Sequence, residues 1–74
     1  MSKLPRVSGA RTVAVLQSAG FRFIRQHGSH MIVRRDDPFA QTTVPNHREL
    51  DRGTLRAIIR QVSMSVDQFN ELLH

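Results

Sequence analysis

Residues 21–35 have the sequence FRFIRQHGSHMIVRR, and this stretch predicts a β-hairpin. From Phe21 to Gln26, aromatic and β-branched residues alternate with polar ones, as in a half-buried strand. The segment from Ser29 to Arg35 is rich in methionine, isoleucine and valine and is predicted to be a second strand. Because only the dipeptide His27-Gly28 separates the two segments, we expect the strands to be antiparallel.

A third strand is predicted after the hairpin. Asp36-Asp37-Pro38 is a predicted loop, because proline keeps the preceding residue out of helical space and aspartate favours turns. Gln41–Val44 has the β propensity of a short strand, and Pro45 closes it. The sheet is therefore predicted to contain three antiparallel strands.

A first helix is predicted before the strands, from Gly9 to Ala19. Ser8 is suited to cap its N-terminus, and Gly20 is suited to end it because glycine adopts the left-handed conformation at little cost. The apolar residues that recur at helical spacing are Ala10, Val13, Ala14 and Leu16.

Two further helices are predicted after the strands. One runs roughly from Arg52 to Val62, and its apolar stripe consists of Leu55, Ile58, Ile59 and Val62. Ser65–Gln68 has the pattern of a capping box for the other, whose inward residues are expected to be Phe69, Leu72 and Leu73. Helices on one face of a three-stranded sheet form a two-layer α+β domain, the layout of a double-stranded-RNA-binding domain. No linker interrupts the pattern, so we expect one domain over residues 1–74.

Charge and composition restrict the classes of function. The formal net charge is +5, and ten of the eleven basic residues are arginine, which suits bidentate phosphate contacts. A small domain of this kind usually binds nucleic acid or an acidic protein. The absence of cysteine excludes disulfides and thiolate zinc sites. No apolar run reaches the roughly 20 residues of a membrane span, and residues 1–9 lack the apolar stretch of a signal peptide, so we expect a cytoplasmic location.

His30 is the candidate catalytic residue. Its imidazole, with an ordinary pKa of about 6.5, can accept a proton near neutrality. We expect it to take the proton of an RNA 2′-hydroxyl that attacks the adjacent phosphorus, while arginines stabilise the developing charge. A lone histidine could equally be a half-exposed strand residue without a role. Gly28 is expected to shape the turn, and Ser29 to donate a hydrogen bond either to phosphate or within the turn.

His47, which follows Pro45 in the sequence, has three open interpretations. It is a general acid, a contact to a binding partner, or a loop residue that bonds to the backbone. A zinc site built from His27, His30 and His47 is not expected. Residues three apart in a strand point to opposite faces, so His27 and His30 are expected not to converge.

Two groups of arginines are candidates for phosphate contact. The hairpin group consists of Arg22, Arg25, Arg34 and Arg35. The other group lies on or before the second predicted helix and consists of Arg48, Arg52, Arg56 and Arg60, of which the last three recur every four residues. Either group could instead be a solvated surface or a docking surface for an acidic protein.

Four segments together resemble the HicA-type toxins, the small RNA-cleaving components of toxin–antitoxin pairs. They lie in order along most of the chain and are RQHGSHMI at 25–32, VPNH at 44–47, GTLRAI at 53–58 and FNELL at 69–73. One position departs from the pattern, because Val33 stands where such toxins often have an aromatic residue. This departure could remove a base-stacking surface or a packing contact.

The resemblance implies a double-stranded-RNA-binding-like fold and metal-independent cleavage of mRNA, with His30 as the catalytic histidine. It also implies a HicB-type antitoxin as protein partner, and no cofactor. The residues expected to contact substrate are Gly28, Ser29, Arg25, His47, Arg52 and Arg56. The alternatives are a non-catalytic RNA-binding module on the same fold and an adaptor that binds only an acidic protein.

Overall fold

The computed structural model describes residues 3–73 and contains a three-stranded antiparallel sheet with helices on one face. Helix α1 spans Gly9–Ser18, strands β1, β2 and β3 span Arg22–His27, His30–Asp36 and Phe39–Pro45, and helices α2 and α3 span Arg52–Gln61 and Val66–Leu73. The strand order is β1-β2-β3. This arrangement confirms the predicted α+β fold with the layout of a double-stranded-RNA-binding domain. Within residues 3–73, no helix combines the length and the apolar character needed to cross a bilayer.

The turn of the first hairpin lies one residue later than predicted. Gly28 and Ser29 form it, and the last pair of the ladder joins His27 to His30. Gly28 has φ +60° at the first central position, the pattern of a type II′ turn. The prediction of a His27-Gly28 turn was wrong because a glycine can occupy either central position of a two-residue loop.

The second hairpin is tighter than predicted. Only Asp37 and Pro38, joined by a cis peptide bond, separate β2 from β3, and Asp36 pairs with Phe39. Strand β3 is therefore longer than the predicted segment Gln41–Val44. Backbone pairing between β2 and β3 continues up to the two turn residues.

The helix ends follow the predicted capping chemistry. The Ser8 hydroxyl accepts a hydrogen bond from the Arg11 amide at 3.0 Å, and Gly20 follows α1 with φ +95°. Ser65 and Gln68 bond reciprocally, each amide to the other side chain, at 2.8 and 3.0 Å. These bonds satisfy amide groups that a helix N-terminus otherwise leaves unpaired.

The core fills the space between the helices and one face of the sheet. The predicted α2 stripe is buried in full and packs with Val33 and Phe69, both 0% exposed. Two predictions about helix faces were wrong. Ala10 and Ala14 are exposed, because α1 packs against both the sheet and α3 and buries a different set of residues, namely Gly9, Thr12, Val13, Val15 and Leu16. Leu72 is 39% exposed, whereas Leu73 packs against the core.

Three backbone segments meet at the end of the sheet that carries the first turn. The Asn46 amide donates to the Ser29 carbonyl at 2.6 Å, and the Gly9 amide donates to the His47 carbonyl at 2.9 Å. A Cβ atom on Gly9 would overlap the carbonyl oxygen of Pro45. The start of α1 is therefore packed directly onto the end of β3.

Candidate functional site

The outer face of the sheet, opposite the helices, carries the candidate site. Along β2 the side chains alternate: Met31 and Val33 are buried, whereas His30 is exposed and Ile32 and Arg34 are partly exposed. This alternation places His30 on the face that the helices leave open.

Val33 belongs to the core. It is fully buried on the helix side of the sheet. Its side chain offers no surface to a base, so the departure from the toxin pattern at this position concerns packing.

His27 and His30 lie side by side across the first hairpin. They are direct partners in the β1–β2 ladder, and both are exposed. Partners of this kind point to the same face, with Cβ atoms roughly 4.5–5.5 Å apart. The expectation that the two imidazoles point to opposite faces was wrong, because the Gly28-Ser29 turn puts them on different strands.

A shallow depression surrounds the two histidines. Its lining residues form two rows across the sheet and are Arg25, His27, His30, Ile32 and Thr43. A shift in register between Phe23 and Arg25 changes the alternation of β1 and brings Arg25 opposite Ile32. The depression thus combines two imidazoles, a guanidinium and a hydroxyl.

The arginines of the outer face differ in their ion pairs. Arg22 lies 2.7 Å from one carboxylate oxygen of Asp36, and the Nε of Arg34 lies 3.1 Å from the other. The Arg34 contact is close enough for an ion pair but is not aligned as a hydrogen bond. Among residues 3–73, Arg25 has no such carboxylate partner. Its charge is available to a ligand in the depression.

The turn residues leave open space and a free hydroxyl at the rim of the site. A Cβ on Gly28 would meet no atom within 4 Å, and the Gly28 carbonyl accepts a bond from the Gln26 amide group at 3.0 Å. The Ser29 carbonyl is bonded to Asn46, but within the described residues its hydroxyl has no hydrogen bond. The bond within the turn that was one of two expectations for this hydroxyl does not form.

His47 lies apart from the depression, in the loop before α2. Its carbonyl accepts a hydrogen bond from the Gly9 amide. Its side chain is exposed and, among the described residues, does not line the depression. Asp51 caps α2 by accepting a 3.0 Å bond from the Thr54 amide. Hydrogen bonds from the Thr54 side chain and amide lower the pKa of Asp51, and the charge of His47 adds a smaller effect in the same direction.

Arg52 and Arg56 belong to another surface. Arg56 and Arg60 flank a depression formed with Ile59, Met64 and Val66, whereas Arg52 lies beside the segment around Pro5 and Glu49. We call Arg52, Arg56 and Arg60 the α2 ridge. The ridge is on the helical layer, so the structure does not bring it together with His30 in one depression.

Sequence inspection missed two residues of the depression, His27 as a partner of His30 and Thr43. A two-residue turn that begins with Gly28 would have predicted the pairing of His27 with His30, because the residues that flank such a turn are ladder partners. Within residues 3–73, no three histidine or acidic side chains are grouped so that they could hold a metal ion.

Comparison with known proteins gives one result. A sequence profile described as "HicA toxin of bacterial toxin-antitoxin" matches residues 9–64. This range includes all three strands, His30, His47 and the whole of α2. No curated protein and no solved structure matches the chain significantly. Since the profile covers most of the 74 residues, the chain belongs to the HicA toxin family of bacterial toxin–antitoxin systems.

Proposed function

We propose that this toxin is a metal-independent endoribonuclease that cleaves mRNA with His30 as general base. Membership of the HicA family supports the toxin role. The observation that carries the chemistry is the position of His30, exposed in a depression beside Arg25. An imidazole and a free guanidinium suit a reaction in which a proton is removed while negative charge grows on phosphate.

In the proposed reaction, an RNA phosphate lies over the depression with its neighbouring 2′-hydroxyl toward His30. The neutral imidazole takes the hydroxyl proton, and the 2′-oxygen attacks the phosphorus. Cleavage leaves a 2′,3′-cyclic phosphate on one product and a 5′-hydroxyl on the other. A positioned base of this kind contributes about 10²–10⁴-fold to the rate.

The phosphate itself is held by Arg25 and the turn. Arg25 supplies a guanidinium that forms two parallel bonds to phosphate oxygens. The Ser29 hydroxyl, free of internal bonds within the described residues, donates another. Gly28 leaves room for the sugar-phosphate chain to approach the turn.

Arg52, Arg56 and His47 contact RNA away from the scissile phosphate. Their positions outside the depression suit contacts to flanking nucleotides. Such contacts raise affinity by releasing counterions and make binding depend on salt. They do not touch the reacting atoms.

A HicB-type antitoxin neutralises the toxin by covering the outer face of the sheet. An acidic partner complements the arginines there and excludes RNA from His30. An excess of RNA substrate analogue should therefore slow association with the antitoxin.

Because the proposed substrate is mRNA, we propose that the toxin acts in the cytoplasm.

The test is cleavage of RNA by the purified protein in the presence of a metal chelator. Wild type should cleave, and His30→Ala should lose about 10²–10⁴-fold in rate with its unfolding midpoint retained. Gln41→Ala is the matched control, since Gln41 is exposed on the same sheet face outside the depression. Salt-sensitive RNA binding by wild type without cleavage would instead establish a binding module.

Expression in a host without antitoxin provides a second readout. Wild type should arrest growth, and His30→Ala should not. Equal growth of the two strains would contradict the toxin chemistry proposed for His30.

A further inference from the structure

We propose that His27 is the general acid of this site and protonates the 5′-oxygen that leaves the phosphorus. The inference rests on the proposed ribonuclease reaction and assigns the proton donor that the reaction requires. It follows from the cross-strand pairing of His27 with His30 and from the chemistry of the residues that share their depression.

The hairpin fixes the spacing of the two backbone positions that carry the imidazoles. His27 ends β1, His30 begins β2, and a two-residue turn with a glycine at φ +60° connects them. The neighbouring ladder pairs, Gln26 with Met31 and Arg25 with Ile32, continue the same register. Ladder partners have Cβ atoms roughly 4.5–5.5 Å apart. This spacing lets one phosphodiester lie between the two side chains, with the base and the acid on either side of the phosphorus.

The other lining residues cannot donate the proton as readily. Arg25 stays charged at any relevant pH, Ile32 has no exchangeable proton, and the Thr43 hydroxyl is a far weaker acid than an imidazolium. Among the described residues that line the depression, His27 and His30 are the ones that carry an imidazole, the side chain suited to proton exchange near neutrality. His47 lies in the loop before α2, outside that lining.

The order of proton transfers follows from the two roles. His30, neutral at the start, removes the 2′-hydroxyl proton as the 2′-oxygen forms its bond to phosphorus. His27, protonated at the start, gives its proton to the 5′-oxygen as the bond between phosphorus and that oxygen breaks. The products are a cyclic phosphate and a 5′-alcohol, and the two imidazoles exchange protons with water to restore the starting state.

Local charge acts on both imidazoles. The groups that face His27 are Arg25 on its own strand and His30 on β2, whereas β3 contributes the uncharged Thr43 and Pro45. The bound phosphate is the negative charge in the depression and favours a protonated imidazole beside it. The proposed mechanism requires one neutral and one charged histidine when RNA is bound.

The test uses an RNA oligonucleotide whose 5′-bridging oxygen at the cleavage site is replaced by sulfur. A thiolate leaves without protonation, so this substrate removes the need for an acid and keeps the need for a base. On ordinary RNA, His27→Gln should be about 10²–10⁴-fold slower than wild type. On the sulfur-containing substrate, His27→Gln should approach the wild-type rate, whereas His30→Gln should stay slow.

The pH dependence gives a readout that a structural role would not change. Wild-type kcat/KM should follow a bell, rising as His30 loses its proton and falling as His27 loses its own. His27→Gln should retain the rising limb and lose the falling limb. Gln41→Ala should reproduce the wild-type bell.

Several outcomes would overturn the inference while the proposed function survives. One is cleavage of ordinary RNA by His27→Gln at the wild-type rate. A second is slow cleavage of both substrates by that variant. A third is a slow His47→Gln variant whose rate the sulfur-containing substrate restores. If wild type cleaves neither substrate, the proposed function itself fails. The experiment thus separates the two failures.

Discussion

Two basic surfaces of this domain carry similar charge in different surroundings. On the outer sheet face, Arg25 lies beside two imidazoles and a hydroxyl in one depression. On the α2 ridge, Arg56 and Arg60 lie beside the apolar side chains of Ile59, Met64 and Val66. The first surface combines charge with two imidazoles, whereas no imidazole lines the described depressions beside the α2 ridge.

Positive charge alone therefore does not distinguish the two surfaces as candidate sites of cleavage. Either surface attracts a polyanion, because long-range attraction depends on net charge. Cleavage also needs a titratable group held at a fixed place. The β1–β2 hairpin carries two imidazoles beside Arg25, and the proposed mechanism assigns this role to them.

Neutralising one arginine on each surface should have the largest effect. Arg25→Gln should lower kcat by about 10²–10³-fold, because it removes a donor to the charge that develops on phosphate. Arg56→Gln should leave kcat unchanged, raise KM and reduce the slope of log affinity against log salt by about one. Single-turnover cleavage and RNA titrations at several salt concentrations measure both. Equal losses of kcat would erase the distinction between the surfaces.

The same substitution at the starts of two helices should have opposite effects on stability. Gly9→Ala should lower the free energy of unfolding by about 1–3 kcal/mol, because the added methyl group overlaps the Pro45 backbone. Gly53→Ala, with open space around it, should raise the unfolding free energy by up to about 1 kcal/mol. Denaturant unfolding measures both changes. A Gly9→Ala variant with the unfolding free energy of wild type would contradict the close packing of α1 on the end of β3.

The first turn should respond to its two residues differently. Gly28→Ala places a side chain at φ +60° and should cost about 1–2 kcal/mol of stability. It should also lower kcat, because it disturbs the separation of His27 and His30. Ser29→Ala should retain stability and raise KM through loss of a phosphate contact. A Gly28→Ala variant with wild-type kcat would show that the turn does not set the geometry of the site.

The smallest effect concerns the cap of α2 and its pH dependence. The folded-state pKa of Asp51 is lowered, so its contribution to stability is present above the unfolded pKa of about 3.9 and is lost as pH falls through the folded value. Asp51→Asn keeps a capping side chain but cannot titrate. Its unfolding free energy should therefore fall less than that of wild type in this acidic range. Identical pH profiles would contradict the effect.

Much of the fold follows from local sequence signals. The α2 stripe, the Ser8 cap and the Ser65–Gln68 capping box are confirmed, since each depends on residues within one or two helical turns. The strand bounds near the turns were less predictable. Propensity does not say which neighbour of Gly28 completes a two-residue loop, and a shift of one residue changes every cross-strand partner.

Only part of the candidate site could be predicted from the sequence. The glycine turn and the toxin resemblance both point to His30, whereas a turn predicted one residue too early gives His27 no cross-strand partner. Burial was a second obstacle. Ala14 fits a helical apolar pattern better than the polar Thr12 does, yet the packing of α1 against the sheet and α3 buries Thr12 and leaves Ala14 exposed.

The most direct test of the account is cleavage of two RNA oligonucleotides that differ in one atom. One is all ribose, and the other carries a single 2′-deoxyribose at the cleavage site. If His30 activates the 2′-hydroxyl, wild type should cut the first at that site and leave the second intact there. Cleavage of the deoxy-substituted site at a comparable rate would contradict the account.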